Sequence, residues 1–186
     1  IPIVGEIPSH SKKEDGYVKV NDRTVMAEAF RMLRTNLQFM FLDKITNTNH
    51  GKVIFVNSSV KGEGKTSVAF NLALTLAMTG KKVCLVGADI RNPQLQRYLP
   101  DSSKNAPGYT NFIADSSVTI DSLKTENEFN DNLDIYLSGA IPPNPAELLL
   151  SPRATSFFEE LKLRYDYVIV DTAPSLLVAD TLLINK

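Results

Sequence analysis

Residues 58–67 read SSVKGEGKTS, and they follow directly on the apolar run KVIFVN at 52–57. The next run, KTSVAFNLALTLAMTG, begins at Lys65, has helical periodicity and ends in a glycine that suits the end of a helix. The order is therefore a buried strand, a loop and a helix. Gly62 and Gly64 allow backbone N–H groups in the loop to turn inward and form a concave anion site, to which the helix N-terminus adds its own N–H groups.

Two further side chains supply the chemistry of a phosphate-binding loop. Lys65 brings a mobile cation to the β- and γ-phosphates, and the Thr66 hydroxyl can coordinate Mg²⁺. The spacing is that of a P-loop, with Ser59 where the pattern has glycine. We therefore predict a nucleotide site rather than a glycine-rich turn with a surface lysine. The predicted nucleotide contacts from this stretch are Lys61, Gly62, Glu63, Gly64, Lys65, Thr66 and Ser67.

Strands and helices alternate along the rest of the chain. Further apolar runs that fit buried strands lie at 82–88, 133–139 and 165–171. Helical patterns lie at 93–99, 145–150 and 154–165, with weaker ones at 110–114 and 119–124. This alternation predicts an α/β fold with a mostly parallel sheet and helices on both faces. Ligands of such sheets bind at the carboxyl ends of the strands.

Carboxylates stand at two of these predicted strand ends. Asp171 ends the strand YVIVD, and Asp89 follows the strand VCLVGA. An aspartate at the end of a strand is also a common turn former or helix cap. This structural alternative fits Asp89 better than Asp171. A Mg²⁺–nucleotide site needs acidic groups there. We predict Lys65, Asp89 and Asp171 as catalytic groups and Thr66, Asp89 and Asp171 as ligands of Mg²⁺.

Composition limits the remaining functions. The 186 residues carry a net charge of -1, from 20 basic and 21 acidic side chains, which predicts no nucleic-acid partner. The single cysteine, Cys84, lies in an apolar run and is expected to be a small buried hydrophobe. No apolar stretch approaches the roughly 18–20 residues that a membrane-spanning helix needs.

Two segments precede the loop. Residues 1–23 are rich in Pro, Gly, Ser and charge and are predicted to be an extended lead-in, and residues 24–186 a single domain. Residues 24–45 have helical periodicity. One face of this helix carries Phe30, Leu33, Leu37, Met40 and Phe41.

The pattern as a whole resembles the cytoplasmic catalytic domain of bacterial tyrosine kinases of the capsular or exopolysaccharide type, which share a P-loop branch with the MinD and ParA ATPases. Six segments carry the resemblance in order: IPIVGEIP (1–8), EAFRMLRTNLQF (28–39), SSVKGEGKTS (58–67), LVGADIRNP (85–93), SGAIPPNPAELL (138–149) and YDYVIVDTAP (165–174).

The resemblance implies an ATP- and Mg²⁺-dependent protein-tyrosine kinase that phosphorylates itself and controls polysaccharide chain length and export. It also implies that Arg91 binds the nucleotide. The domain would lie at the cytoplasmic face of the bacterial inner membrane, with residues 1–23 following a membrane segment. A membrane chain-length (polysaccharide co-polymerase) portion, fused or separate, would be its partner.

Glu28, Arg31 and Arg34 recur at every third residue and form a slanting stripe on the first helix. Taken alone, this spacing fits a solvated salt bridge within the helix. The resemblance implies instead an interface with the next subunit of a ring, an octamer, in which arginine can grip carboxylates and backbone oxygens.

The chain departs from the family pattern at two places. Gly87 stands where the motif DxDxR has its first aspartate, while Asp89 and Arg91 remain. Glycine cannot do acid–base work, although phosphoryl transfer through a loose transition state demands little of a base. The six tyrosines are scattered, whereas the resemblance implies a tyrosine-rich C-terminal tail, which would make this a C-terminally truncated domain.

Two alternative functions stay open. A MinD/ParA-like ATPase switch would carry a second lysine five residues before Lys65, but Val60 occupies that place and Lys61 lies one residue later. A nucleotide-binding ring scaffold without transfer activity is the other alternative, because Gly87 removes a carboxylate from the site.

Overall fold

The computed structural model describes residues 2–9, 16–42, 50–103 and 105–174. Its helices and strands, in chain order, are α1 (Val25–Leu42), β1 (Lys52–Val56), α2 (Lys65–Ala77), β2 (Val83–Gly87), α3 (Tyr109–Ala114), β3 (Lys124–Thr125), β4 (Leu133–Tyr136), α4 (Pro145–Leu149), α5 (Pro152–Arg164) and β5 (Tyr167–Asp171). Short 3₁₀ turns lie at Leu95–Tyr98, Asp101–Ser103 and Asp121–Leu123.

The strands form one sheet in the order β1-β5-β2-β4-β3. The first four are parallel, and β3 pairs with β4 in the antiparallel sense. Because β5 lies between β1 and β2, the carboxyl ends of all three meet at one edge, where Val56 and Gly87 both pair with Asp171. The predicted α/β class with a mostly parallel sheet is confirmed.

Helices cover both faces of the sheet, as predicted, since neighbouring strand residues point to opposite sides. Val83 and Leu85 pack in the apolar layer beneath α2. Cys84 and Val86 pack on the other side with Phe157 of α5. Cys84 is therefore the buried small hydrophobe that its sequence context predicts.

The region between β2 and β4 differs most from prediction. The weak helical pattern at 119–124 becomes a 3₁₀ turn followed by the edge strand β3. That strand is two residues long, too short to show a period of two, and it exists through pairing of Lys124 and Thr125 with Tyr136 and Ile135. The expected helix at 93–99 is reduced to the 3₁₀ turn Leu95–Tyr98.

Helix α1 packs its apolar stripe on α2, with one exception. Phe30 is buried, and Leu33, Leu37 and Phe41 are partly buried against the core. Met40 is the exception, because 45% of this residue is exposed. At about 100° per residue Met40 lies roughly 80° around the helix from Phe30, at the margin of the stripe. The predicted helix reached residue 45, but 43–45 lie outside the described residues.

The described parts of the lead-in pack against the helices. In the first part, Val4 accepts a hydrogen bond from Asn36 Nδ2 at 2.7 Å through its carbonyl oxygen. In the second part, Val18 is almost fully buried, and its backbone N–H donates to Asn71 Oδ1 at 2.7 Å. Asn71 Nδ2 donates to the carbonyls of Gly16 and Ser67. Within the described part of the chain, no helix combines the length and the apolar character needed to cross a membrane.

We predict that Asn71→Ala lowers the free energy of unfolding by about 1–3 kcal/mol, because it leaves buried backbone groups of residues 16 and 18 without partners. Urea denaturation of the variant measures this loss. Asn36→Ala is the matched control, since it removes one exposed hydrogen bond and is expected to cost under about 1 kcal/mol. Equal effects of the two substitutions would contradict the prediction.

Candidate active site

The loop between β1 and α2 has the backbone geometry of an anion cradle. Gly62 and Gly64 have φ angles of 92° and 89°, in the left-handed region that favours glycine. Ser59 needs no such freedom, because Asn21 is the only non-glycine residue with positive φ among the described residues. Serine therefore fits at the place where the motif has glycine.

Glu63 contacts the backbone of its own loop. Its carboxylate oxygen Oε2 accepts hydrogen bonds from the backbone N–H of Ser59 at 2.8 Å and of Val60 at 3.2 Å. The side chain thus braces the first half of the loop from within. This contact does not involve the cavity described below, which Glu63 and Ser67 do not line.

Lys65 joins the loop to the strand ends. Its Nζ lies 3.0 Å from Asp89 Oδ2 and 3.7 Å from Asp171 Oδ1, and all three side chains are at least nine-tenths buried. Thr66 is buried beside them at the start of α2. The fold therefore brings together the four groups predicted to carry catalysis and to hold a metal. The parallel register of β2 and β5 causes this, since both strands end at the level of the loop.

Asp89 makes both kinds of contact that its position predicted. One carboxylate oxygen, Oδ1, accepts a hydrogen bond from the backbone N–H of Asn92 at 3.0 Å and so forms the turn after β2. The other oxygen, Oδ2, pairs with Lys65. The hydrogen bond within the turn thus holds the Asp89 carboxylate in position for its ion pair with Lys65.

Asp171 carries the least satisfied charge of this group. Burial, and to a smaller extent the nearby Asp89 carboxylate, raise its pKa to about 6 against the opposing effects of Lys65 and Thr66. Its buried Oδ1 has no hydrogen-bond partner among the described residues, and the contact to Lys65 Nζ is too long to be one. A divalent cation is the partner that such a carboxylate fits. The oxygens of Asp171, Asp89 and Thr66 are hard ligands that suit Mg²⁺.

A cavity of about 270 Å³ lies over these groups. One wall is the P-loop, with Lys61, Gly62, Gly64, Lys65 and Thr66. The facing wall is the segment after β2, with Asp89, Arg91, Asn92, Gln94 and Arg97, and residues Ala173 and Pro174 complete the lining. Lys61 and Arg91 thus lie where their side chains could reach a nucleotide bound in the cavity. Sequence reasoning missed Asn92, Gln94 and Arg97, whose only signal was a polar, basic stretch just after Asp89.

Gly87 ends β2 directly beside Asp171 in the sheet. A Cβ atom built on it would lie 3.2 Å from the backbone nitrogen of Ser138 and 3.5 Å from Leu95 Cδ2. The first contact is slightly closer than ordinary van der Waals distance, so a side chain at this position requires a small shift of the end of β4.

Glu28, Arg31 and Arg34 do not line the cavity. Arg31 pairs with Glu28 within the helix and also donates from NH2 to the carbonyl oxygen of Asp22 at 2.5 Å. Arg34 NH1 donates to the carbonyl oxygen of Thr75 on α2 at 3.3 Å. The intrahelical salt bridge that the spacing allows is therefore present in the single chain.

Comparison with known proteins finds relatives that match most of this chain. Residues 51–185 match the AAA domain family. Tyrosine-protein kinase YwqD of Bacillus subtilis is 36% identical over 88% of this chain and 65% of its own length. CapB of Staphylococcus aureus is 32% identical over 88% of this chain and 68% of its own. The chain thus spans about two thirds of these relatives, and only 24% of a longer one from Klebsiella pneumoniae.

Solved structures extend the comparison. The BceF tyrosine kinase domain aligns with a TM-score of 0.81 and 30% identity over 99% of this chain and 76% of its own. The septum site-determining protein MinD of Pyrococcus horikoshii, solved with Mg-ADP, shares the fold at 22% identity, with a TM-score of 0.57 over 72% of this chain and 53% of its own.

Fold and site together define an α/β protein with a P-loop whose lysine faces two strand-end carboxylates. Within that class, the extent and identity of the matches above identify the family. The chain belongs to the bacterial tyrosine-protein kinases.

We predict that Asp171→Asn stabilises the ligand-free protein near neutral pH. The native pKa of about 6 lies above the ordinary value of 3.8, so the folded state binds this proton more tightly than the unfolded chain. The stability that this proton provides is fully present when the pH is below the ordinary pKa. It is lost as the pH rises through 6, and the total loss is ~3 kcal/mol.

Thermal denaturation measures this effect. The variant is expected to melt several degrees above wild type at about pH 7.5 and close to it at about pH 4.5. Asp121→Asn serves as a control carboxylate, because its side chain is 78% exposed and its ion pair with Arg164 lies at the surface. A variant that melts below wild type at about pH 7.5 would contradict the conclusion that the charged Asp171 carboxylate destabilises the folded protein.

Proposed function

We propose that this chain is the ATP-binding catalytic domain of a protein-tyrosine kinase that phosphorylates itself and regulates capsular or exopolysaccharide synthesis and export. The contact of Lys65 with the buried carboxylates Asp89 and Asp171 carries the proposal. The family membership of the chain supports the choice of tyrosine as the acceptor.

The arrangement suits phosphoryl transfer. The loop N–H groups and the N-terminus of α2 hold the phosphates. Lys65 turns from its two carboxylates to the β- and γ-phosphate oxygens, and Arg91 approaches from the facing wall. Asp89, Asp171 and Thr66 would hold Mg²⁺, which would neutralise charge on the phosphates. Catalysis of this kind rests on positioning and charge, which the buried and braced groups of this site can provide.

Gly87 favours a second candidate function, a ring-forming scaffold that binds nucleotide without transfer. With glycine at this position, the strand-end carboxylates left in the site are Asp89 and Asp171, and both form ion pairs with Lys65. In the kinase, the hydroxyl proton passes late to a phosphate oxygen, which a loose transition state permits. A MinD/ParA-like switch is the third candidate, favoured by the shared fold and disfavoured by Val60 in the loop.

One assay of the full-length protein separates these functions. We predict that labelled ATP with Mg²⁺ places label on tyrosine, and that Lys65→Met abolishes it because the variant loses the cation that contacts the phosphates. Released phosphate without phosphotyrosine would support the ATPase switch, and neither product would support the scaffold. Gly87→Asp tests the departure from the family motif. A large gain in phosphotyrosine would show that the missing carboxylate limits the rate of the wild-type protein.

Self-association through α1 is the second part of the proposal. Val25, Met32 and Phe39 lie seven residues apart on the outer side of the helix and are 77%, 65% and 63% exposed. An exposed apolar ridge of this spacing suits packing against another protein surface. Glu28 lies beside it, and the predicted stripe then slants through Arg31 to Arg34, which faces α2. A head-to-tail contact of this kind closes into a ring, for which an octamer is the proposed size.

We predict that Arg31→Ala with Arg34→Ala converts the ring to monomers, and that Met32→Ser with Phe39→Ser does the same. Light scattering measures the mass. The second pair is the sharper test, because Arg34 also bonds α2 within the chain whereas Met32 and Phe39 are exposed. An unchanged mass for both variants would rule out this interface.

The partner and the location follow from the same assignment. We propose a membrane chain-length portion, fused or separate, as partner, with the domain at the cytoplasmic face of the bacterial inner membrane. The greater length of some relatives supports an additional part. The residues 2–9 along α1 are the place where it would be attached.

A further inference from the structure

The nucleotide cavity contains a cation that no sequence motif indicated. Arg97 lies on the 3₁₀ turn Leu95–Tyr98 and is exposed, in contrast to its buried neighbours Leu95 and Leu99. These two leucines anchor the turn in the core, so that the side chain between them projects to the surface. It lines the same cavity as Lys65 and Asp89.

Tyr98 holds Arg97 in place. Its ring stacks on Phe70 of α2, with centroids 4.1 Å apart and planes 5° from parallel. The Arg97 guanidinium carbon lies 5.0 Å from the centre of the Tyr98 ring, and NH2 donates to the Tyr98 hydroxyl at 3.2 Å. Because Phe70 belongs to the helix that begins at Lys65, the guanidinium is fixed relative to the P-loop.

The residues that line the cavity carry an excess of positive charge. Four cations line the cavity: Lys61, Lys65, Arg91 and Arg97. Among the described lining residues Asp89 is the one carboxylate, and Asp171 lies behind it, 3.7 Å from Lys65 Nζ. A triphosphate with its metal is an anion that this excess of positive charge complements.

We propose that Arg97 contacts the terminal phosphate of bound ATP from the wall that faces the P-loop. This inference rests on the nucleotide-binding part of the proposed function, and does not depend on tyrosine as the acceptor. The loop N–H groups take the inner phosphates and Lys65 reaches the outer pair. The terminal phosphate is therefore the group nearest the facing wall, where a guanidinium can donate two parallel hydrogen bonds to its oxygens.

Binding of two nucleotides to the full-length protein, with Mg²⁺, tests the contact. Isothermal titration calorimetry with ADP and with the non-hydrolysable analogue AMP-PNP is expected to show that Arg97→Ala binds AMP-PNP about tenfold more weakly and ADP almost as well as wild type. Arg97→Lys retains the charge without the fork and is expected to lose less. Tyr98→Phe keeps the ring stack, removes the hydroxyl that holds the guanidinium, and is expected to give an intermediate loss.

Lys81→Ala is the matched control. This lysine lies near the amino ends of the strands, and the P-loop lies at their carboxyl ends. Equal weakening of ADP and AMP-PNP by Arg97→Ala would overturn the proposal, because it would show a general attraction and not a contact with the terminal phosphate. Unchanged affinity for both nucleotides would also overturn it. Selective loss of AMP-PNP in a protein that forms no phosphotyrosine would leave this inference standing and refute the kinase assignment.

Discussion

The lysine of the P-loop and the two strand-end carboxylates form the interaction on which the rest of the structure depends. Lys65, Asp89 and Asp171 come from three different elements, and each is almost withdrawn from water. Buried charges are tolerated only when they are paired and hydrogen bonded. The ends of β2 and β5 and the start of α2 must therefore lie together, and the position of β5 between β1 and β2 provides this arrangement.

This cluster is not fully satisfied, and its deficit has a functional meaning. A single ammonium group faces two carboxylates, and one oxygen of Asp171 has no hydrogen-bond partner in the described structure. Such a site costs stability in the free protein and gains most when a metal and an anionic nucleotide arrive together. The raised pKa of Asp171 is the electrostatic expression of the same deficit.

The surroundings of the site also connect it to the lead-in. Asn71 ties Gly16 and Val18 to α2, and the ring of Tyr17 meets Phe70 edge-on at 6.1 Å. Phe70 in turn stacks on Tyr98, next to Arg97. A continuous set of packed groups thus runs from the segment before α1 to the wall that faces the P-loop.

The sequence by itself determined the class of fold and the centre of the site. Apolar runs of five to seven residues alternating with helical periods specify a parallel sheet, and glycine spacing specifies the loop, because these signals are local. From this order Lys65, Thr66, Asp89 and Asp171 could be named.

Tertiary structure alone decided the contacts between residues far apart in the chain. The bracing of the loop by Glu63, the exposure of Met40, the pairing of β3 with β4 and the approach of Arg97 to the cavity belong to this group. So does the bond between Val18 and Asn71, which are 53 residues apart. The physical reason is that a side chain's partners depend on how elements pack against one another, and periodicity describes each element separately.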